Sequence, residues 1–438
     1  MTFDMTPEQK GIVGCILLVV MLLTSLPVAF SMAVVGVVGF AWVIGDIHPA
    51  LNMMSMNLFD IFNNYNLTVI PLFVLMGQIA FHGGISRRLF SAAYHWLGPL
   101  PGGLAMATVG ACAAFGAICG SGPATTATMA SVALPEMKRY GYSMQLATGT
   151  VASGGTLGMM IPPSVVFIVY AILTEQSIGK LFISGIIPGI LTAILFCLSI
   201  YWQCKRNPTL GPAAPPTTLW QKTRSLLGVS ETLILFALVM GGMFRGWFSA
   251  NEAAAIGAAG TILITVVQKK LAWKTFLQSL RETMRTSCMV MIIVAGAAIF
   301  GNFLAVTRLP FQLAGWLSGL AIPGWCVIAL IVVFYLIAGC FVDALALVLL
   351  TVPIFYPVVT ALGYHPIWFG VMIVLVTQMG VITPPVGVCV YVVSGIERDV
   401  PLQTVFKGSM PFLYMMIVAA ILITAFPQLC LWLPSLSH

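Results

Sequence analysis

Charge is what this sequence has least of: Asp, Glu, Lys and Arg together make up only 7% of 438 residues. A soluble chain carries about a quarter, so a water-facing globular surface is excluded. With 60% hydrophobic residues and a mean hydropathy of +1.03, a multi-pass membrane protein remains. The net charge of +7 is no nucleic-acid footprint, because the basic residues sit in short clusters between apolar spans. No nucleic-acid partner is expected. The ten cysteines show no Cys-x-x-Cys or Cys/His spacing, which excludes zinc and redox motifs. Buried, they pack as small apolar side chains. His-Glu-x-x-His, paired Asp-rich motifs and a Walker loop are all missing, so no enzyme is expected. Gly120-Ser121-Gly122 looks superficially like an intramembrane serine nucleophile. His82, His95 and His365 stand at loop or arm positions and offer it no base. The amino terminus carries Asp4 and Glu8 where a signal peptide is basic, so no cleavable leader is expected.

What is present is a series of apolar runs, and about 20 residues suit a spanning helix. Residues 11–27 and 29–45, divided by Pro27, read as a helical hairpin. A polar patch from Asn52 to Asn66 precedes a third span at 67–82. Gly83-Gly84-Ile85-Ser86-Arg87-Arg88 then leads into a short amphipathic piece ending near 99–103. Residues 104–119 and 123–137 are each short and meet at Gly120-Ser121-Gly122-Pro123, the pattern of a re-entrant hairpin. Non-helical backbone at that depth persists only against protein or a water-filled cavity. The span 145–174 is interrupted at Gly154-Gly155 and at Ile161-Pro162-Pro163-Ser164. Proline removes a donor and clashes with the preceding turn, so a broken helix is expected. Residues 181–202 follow, then a polar connector at 204–224 and a helix pair at 228–244 and 251–268. Lys205, Arg206, Lys222 and Arg224 on one flank, and Lys269, Lys270, Lys274, Arg281 and Arg285 on the other, share one side. The positive-inside rule makes that side cytoplasmic.

The chain states its pattern twice. Gly158, Pro162 and Pro163 recur 222 residues on as Gly380, Pro384 and Pro385. At the same offset Pro135, Gly141 and Tyr142 become Pro357, Gly363 and Tyr364, and Pro101-Gly102 becomes Pro323-Gly324. Three crossings and one hairpin per copy is an odd number, which forces opposite orientations. The expected fold is an all-α polytopic membrane protein with inverted repeats, re-entrant helical hairpins and discontinuous helices, both termini facing away from the cytoplasm. Its segments are an N-terminal helical hairpin (1–50), a first repeat (51–203), a basic connector with its helix pair (204–285) and a second repeat (286–438). Paired interruptions of this kind point to a secondary transporter's binding site. An anion channel or uniporter on the same fold is the competing reading, and a membrane anchor for a soluble complex is a third.

Three constellations are candidates for the chemistry. At the first tip, Pro123 follows Ser121-Gly122 as a helix start. Such a start presents free amides and partial positive charge to an anion, beside the hydroxyls of Ser121, Thr125 and Thr126. Tight packing through Gly and Ser is the alternative. The matching position in the second copy is Asp343, inside an apolar run. An acid there costs about 2.5–3.5 kcal/mol unless paired, and no Lys or Arg lies nearby in sequence. A cation or proton is the natural partner; a helix cap or a distant Arg is the alternative. The third pair is Ser153-Gly154-Gly155-Thr156 and Thr377-Gln378-Met379-Gly380. Unwinding there would free carbonyls beside hydroxyls, hard oxygen donors for an alkali cation, one site per repeat; plain kinks are the alternative.

These residues resemble the large membrane subunit of TRAP transporters (tripartite ATP-independent periplasmic transporters). The resemblance runs from Leu26-Pro27-Val28-Ala29-Phe30 onward and includes Ile70-Pro71-Leu72-Phe73-Val74, Gly120 to Thr125 and Leu134-Pro135-Glu136-Met137. Gly154 to Gly158, Ile161 to Ser164, Glu252 to Ala255 and Gly380 to Gly387 complete it. It implies a Na+-coupled importer of small organic anions, carboxylates or sugar acids, in the bacterial inner membrane. It also implies an elevator motion of a hairpin-bearing domain against a scaffold. A small four-helix membrane (Q) subunit and a periplasmic substrate-binding protein would be partners. Because the chain begins directly with its own helices, the small subunit is expected to be a separate polypeptide or absent, and not fused ahead of it. Carried over, Gly120, Ser121, Gly154, Gly155 and Thr156 would hold one Na+, and Gly339, Asp343, Thr377, Gly380 and Thr383 another. Substrate would lie between the tips, near Ser121, Thr125, Thr126, Pro163 and Pro385. Many relatives have a second Ser where this chain has Gly122, which removes one hydroxyl from the tip.

Overall fold

The computed structural model describes residues 5–24, 26–215, 217–319 and 323–436, so Asp4 lies outside the described residues. Among these there is no strand. Helices α1 (Pro7–Leu23), α2 (Val28–Ile44) and α3 (Ile47–Phe62) come first. A 3-10 turn (Tyr65–Thr68) leads into α4 (Val69–His82) and the amphipathic α5 (Ile85–Leu97). The first hairpin is α6 (Gly103–Cys119) and α7 (Gly122–Arg139); α8 (Met144–Met160) and α9 (Val165–Thr174) are halves of one broken span, and α10 (Ile178–Arg206) follows. The connector holds α11 (Leu219–Leu227), α12 (Ser230–Phe244) and α13 (Ala250–Val267). Then come α14 (Trp273–Thr307), α15 (Leu309–Gly319), a second hairpin of α16 (Gly324–Gly339) and α17 (Ala344–Ala361), and α18 (Pro366–Gly380). The chain closes with α19 (Val388–Ile396), α20 (Leu402–Ala425) and α21 (Gln428–Leu436).

Seven segments are at least 18 residues long and apolar enough to cross a membrane, among them Met144–Thr174 taken as one. Four shorter apolar helices, α2, α6, α16 and α18, add to them. The 222-residue register holds helix by helix: both ends of α7, Gly122 and Arg139, map onto both ends of α17, Ala344 and Ala361.

Side-chain contacts fix the inversion. Lys138, at the base of the first hairpin, reaches Glu397 (3.0 Å) and Asp399 (3.6 Å) beyond α19. At the base of the second hairpin, Tyr356 meets Gln176 (3.3 Å) beyond α9. The α8–α9 span starts beside the first base and ends beside the second, so the hairpins enter from opposite faces.

Three expectations change. The polar patch at Asn52–Asn66 is mostly helix: Asp46 caps α3 through His48 N (3.0 Å), and Asn57 and Ser55 bond carbonyls one turn back. Gly154-Gly155 does not interrupt α8, and Thr377–Gly380 stays within α18. Both breaks fall at the proline pairs, residues 161–164 and 381–387, where donors are missing. The glycines serve close packing instead: a side chain on Gly155 would collide with Thr126. Finally, 50/51, 203/204 and 285/286 each fall inside a continuous helix, α3, α10 and α14.

Candidate functional site

Each hairpin tip docks on the break of its own repeat. Gly120 turns the first tip in the left-handed region (φ +67°), which favours glycine. A Cβ there would stand 2.6 Å from the Pro163 carbonyl oxygen. Val165 N donates to the Gly120 carbonyl across the joint (3.3 Å). In the second repeat Val386 N donates to the Cys340 carbonyl (3.3 Å). The breaks are not identical. Ser164 caps α9 by accepting from Phe167 N (3.5 Å), whereas the second break is longer and α19 starts from Gly387 without a side-chain cap. Residues 161–164 are buried; Pro384, Pro385 and Val386 are exposed.

The two tips converge on one cavity of about 620 Å³. Gly120, Ser121 and Gly122 line it from the first tip and Asp343 to Ala346 from the second. Asp343 is exposed to that space, and its carboxylate accepts from Leu345 N (3.0 Å), capping α17. Ser121 makes no cap bond. The opposite wall comes from α2, α4 and α14, with Phe30, Val74, Val290 and Ile293 as apolar surface and Gln78 and Thr286 as polar groups. Among the described residues no Lys or Arg lines the cavity.

Behind the first tip, polar atoms are buried without hydrogen-bond partners: the hydroxyls of Thr125, Thr126, Thr150 and Ser153. The thiols of Cys119 and Cys389 stand beside Thr125 and Thr126. In the second repeat both amide atoms of Gln378 are likewise unpartnered. Native interiors leave few such groups, and each calls for a ligand, a water or a cost. Among the described residues no cluster of three His, Cys, Asp or Glu exists. The donors present are hydroxyl, carbonyl and carboxylate oxygens, which suit hard cations.

Of the expected site residues, the cavity unites Gly120, Ser121 and Asp343. Thr125, Thr126, Gly154, Gly155 and Thr156 lie one layer deeper, fully buried where α7 packs on α8, with Thr156 bonded to Ser153 O (2.7 Å). Gly339 and Gly380 touch across the second joint, where a Cβ on Gly339 would sit 3.2 Å from Gly380 Cα. Thr377 and Thr383 bond carbonyls one turn back, Val374 O (2.9 Å) and Met379 O (2.6 Å). Pro163 and Pro385 do not line the central cavity. Gln378 lies within the expected Thr377–Gly380 segment, whereas Gln78 and Thr286 were not among the expected residues; an amide in the apolar run of α4 was the signal for Gln78, and Thr286 had none.

Two oppositely inserted hairpins meeting at a mid-chain cavity, braced by a second set of helices, define a multi-pass membrane permease. Residues 15–429 match the family model described as tripartite ATP-independent periplasmic transporter, DctM component. The chain belongs to that family, whose members are transporters and not enzymes. It is 35% identical over 387 residues to the C4-dicarboxylate TRAP transporter large permease protein DctM of Pseudomonas aeruginosa, covering 88% of this chain and 90% of that one. It is 31% identical over 417 residues to the sialic acid TRAP transporter large permease protein SiaM of Vibrio cholerae (95% and 96% covered). Among solved structures, the Alcanivorax borkumensis YdaH transporter shares the fold, with a TM-score of 0.62 at 14% identity over 87% of this chain and 89% of that chain.

Proposed function

We propose that the chain is the large permease subunit of a Na+-coupled importer of a small organic anion, a carboxylate or sugar acid, in the bacterial inner membrane. The observation that carries this reading is the shared cavity. One tip offers Ser121 and free helix amides, the other an unpaired carboxylate, and unpartnered hydroxyls lie directly behind. Helix N-termini suit an anion's oxygens. Na+ at each joint would supply the positive charge that Asp343 and a bound anion both lack. Gly120, Ser121, Gly154, Gly155 and Thr156 are assigned to the first ion, with Thr125 and Thr126 beside the substrate. Gly339, Asp343, Thr377, Gly380 and Thr383 are assigned to the second.

The relatives' names, for C4-dicarboxylates and sialic acid, support the substrate class. A small four-helix membrane subunit and a periplasmic binding protein are the proposed partners. Of nineteen Lys and Arg residues, only Lys10, Lys180, Arg245 and Arg308 stand at the end of the bilayer where α14 finishes. The other end is therefore assigned to the cytoplasm. Transport is proposed as an elevator motion: α6–α10 and α16–α21 move together against α1–α4 and α12–α14.

Uptake into proteoliposomes tests this. Accumulation of succinate or N-acetylneuraminate, with binding protein and small subunit present, is expected to need an inward Na+ gradient. Asp343→Asn is expected to cut the rate at least about tenfold. Undiminished uphill uptake in Na+-free buffer would refute the coupling ion, and purely downhill flux would favour a uniporter or channel.

A further inference from the structure

Among the described residues the central cavity carries no cationic side chain, yet an unpaired cationic stripe leads up to it along α14. Lys274, Arg281, Arg285, Cys288 and Ile292 are spaced 7, 4, 3 and 4 residues apart, which puts them on one side of the helix. Lys274, Arg281, Arg285 and Cys288 are exposed, and Ile292 lines the central cavity. The three cations share an open groove of about 550 Å³ with Gln278 and Glu282. Glu282 makes no ion pair with them: its carboxylate meets His82 (3.1 Å) and accepts from Gln278 (2.9 Å), so three cations against one carboxylate leave the groove positive. Among the described residues, none of the three cations is within ion-pair distance of a carboxylate. All three lie between the cavity and the end of α14 assigned to the cytoplasm.

We propose that Lys274, Arg281 and Arg285 form the cytoplasmic release vestibule for the transported anion. This rests on the reading of the chain as an anion importer. The anion is held in the cavity by amides, hydroxyls and ions, and the first cationic side chain on its way inward is Arg285. Fixed charge lining such a passage raises the local concentration of the opposite charge by about 10–1,000-fold. That speeds departure from the cavity mouth without deepening the binding site itself.

Cys288, the exposed thiol next to the stripe, reports the local potential in the reconstituted transporter. Its modification by an anionic sulfonate thiosulfonate reagent is compared with that by a cationic trimethylammonium one, resolved by peptide mass spectrometry. The wild type is expected to favour the anionic reagent at least about tenfold at low salt. The preference should collapse in the K274Q/R281Q/R285Q variant and near 1 M salt, where the screening length falls to about 3 Å. Arg281→Lys with Arg285→Lys keeps it. The same variants are assayed for N-acetylneuraminate and succinate flux from each face. The glutamine variant is expected to raise the cytoplasmic-face KM about tenfold and leave the outer-face KM unchanged. An unchanged reagent ratio, equal KM changes on both faces, or loss of the copurifying small subunit overturns the vestibule. So does a wild-type ratio that appears only in vesicles containing anionic lipid, since the stripe would then serve headgroups. If neither anion is taken up, the importer reading fails, while the reagent ratio still decides whether the stripe is a water-filled cationic passage.

Discussion

Asp343 concentrates the argument at the scale of single residues. It stands where the first repeat has Ser121, and the exchange of hydroxyl for carboxylate makes the two tips chemically unequal although their backbones correspond. Ser121→Ala removes a neutral ligand and is expected to weaken uptake less than Asp343→Asn, as parallel rate measurements would show. Gly158 and Gly380 carry a structural prediction. A Cβ on Gly158 meets Thr125 Oγ1 at 2.5 Å, and one on Gly380 meets Gly339 Cα at 2.6 Å. Overpacking of this kind costs about 1–3 kcal/mol. Gly158→Ala and Gly380→Ala should therefore lower the thermal midpoint in detergent. Gly241→Ala, with nothing within 4 Å, should hold or slightly raise it. Both tips and Asp343 were legible in the sequence, because a lone acid or a helix-breaking Gly-Ser-Gly-Pro run is costly inside apolar sequence unless it serves a site. Gln78 and Thr286 were not: which face of a long apolar helix turns to a cavity depends on packing that the local pattern does not encode.

At the scale of elements, proline pairs mark the breaks and single prolines do not: Pro135, Pro188, Pro353, Pro357 and Pro411 lie inside intact helices. Pro162-Pro163 and Pro384-Pro385 break their spans because no residue pair with missing donors can continue the ladder. Gly154-Gly155 was read as an interruption, unwound or kinked; instead the helix is intact, and the pair serves its close approach to α7. α3 was missed for a different reason: Asn57 and Ser55 bond their own helix carbonyls, so a polar composition concealed a capped amphipathic helix. The tie from Lys138 to Glu397 and Asp399 joins the first hairpin's base to the second repeat, but Lys138 is exposed. Exposed ion pairs contribute about 0–1 kcal/mol. Lys138→Ala should accordingly leave the unfolding midpoint nearly unchanged, and a large drop would mean that this tie holds the hairpin in place.

On the scale of the whole molecule, inversion was readable from crossing parity, and the contacts of Lys138 and Tyr356 supply its geometry. Sidedness follows from the distribution of cations, so a membrane-impermeant amine reagent applied outside intact cells should modify Lys180 and spare Lys222. The segment limits were the least legible feature, because α3, α10 and α14 run through them as continuous helices, and a change from polar to apolar composition, as at 285/286, does not end a helix. The measurement that bears most directly on the converging tips is anion binding to the purified permease, by calorimetry or thermal shift, in matched Na+ and K+ buffers. It would use whichever anion the uptake assay accumulates. If cation and anion share the space between Ser121 and Asp343, Na+ tightens the anion by about 5–150-fold, the anion tightens Na+ by the same factor, and Asp343→Asn abolishes both effects. Equal anion affinity in Na+ and K+, in wild type and variant alike, would contradict it.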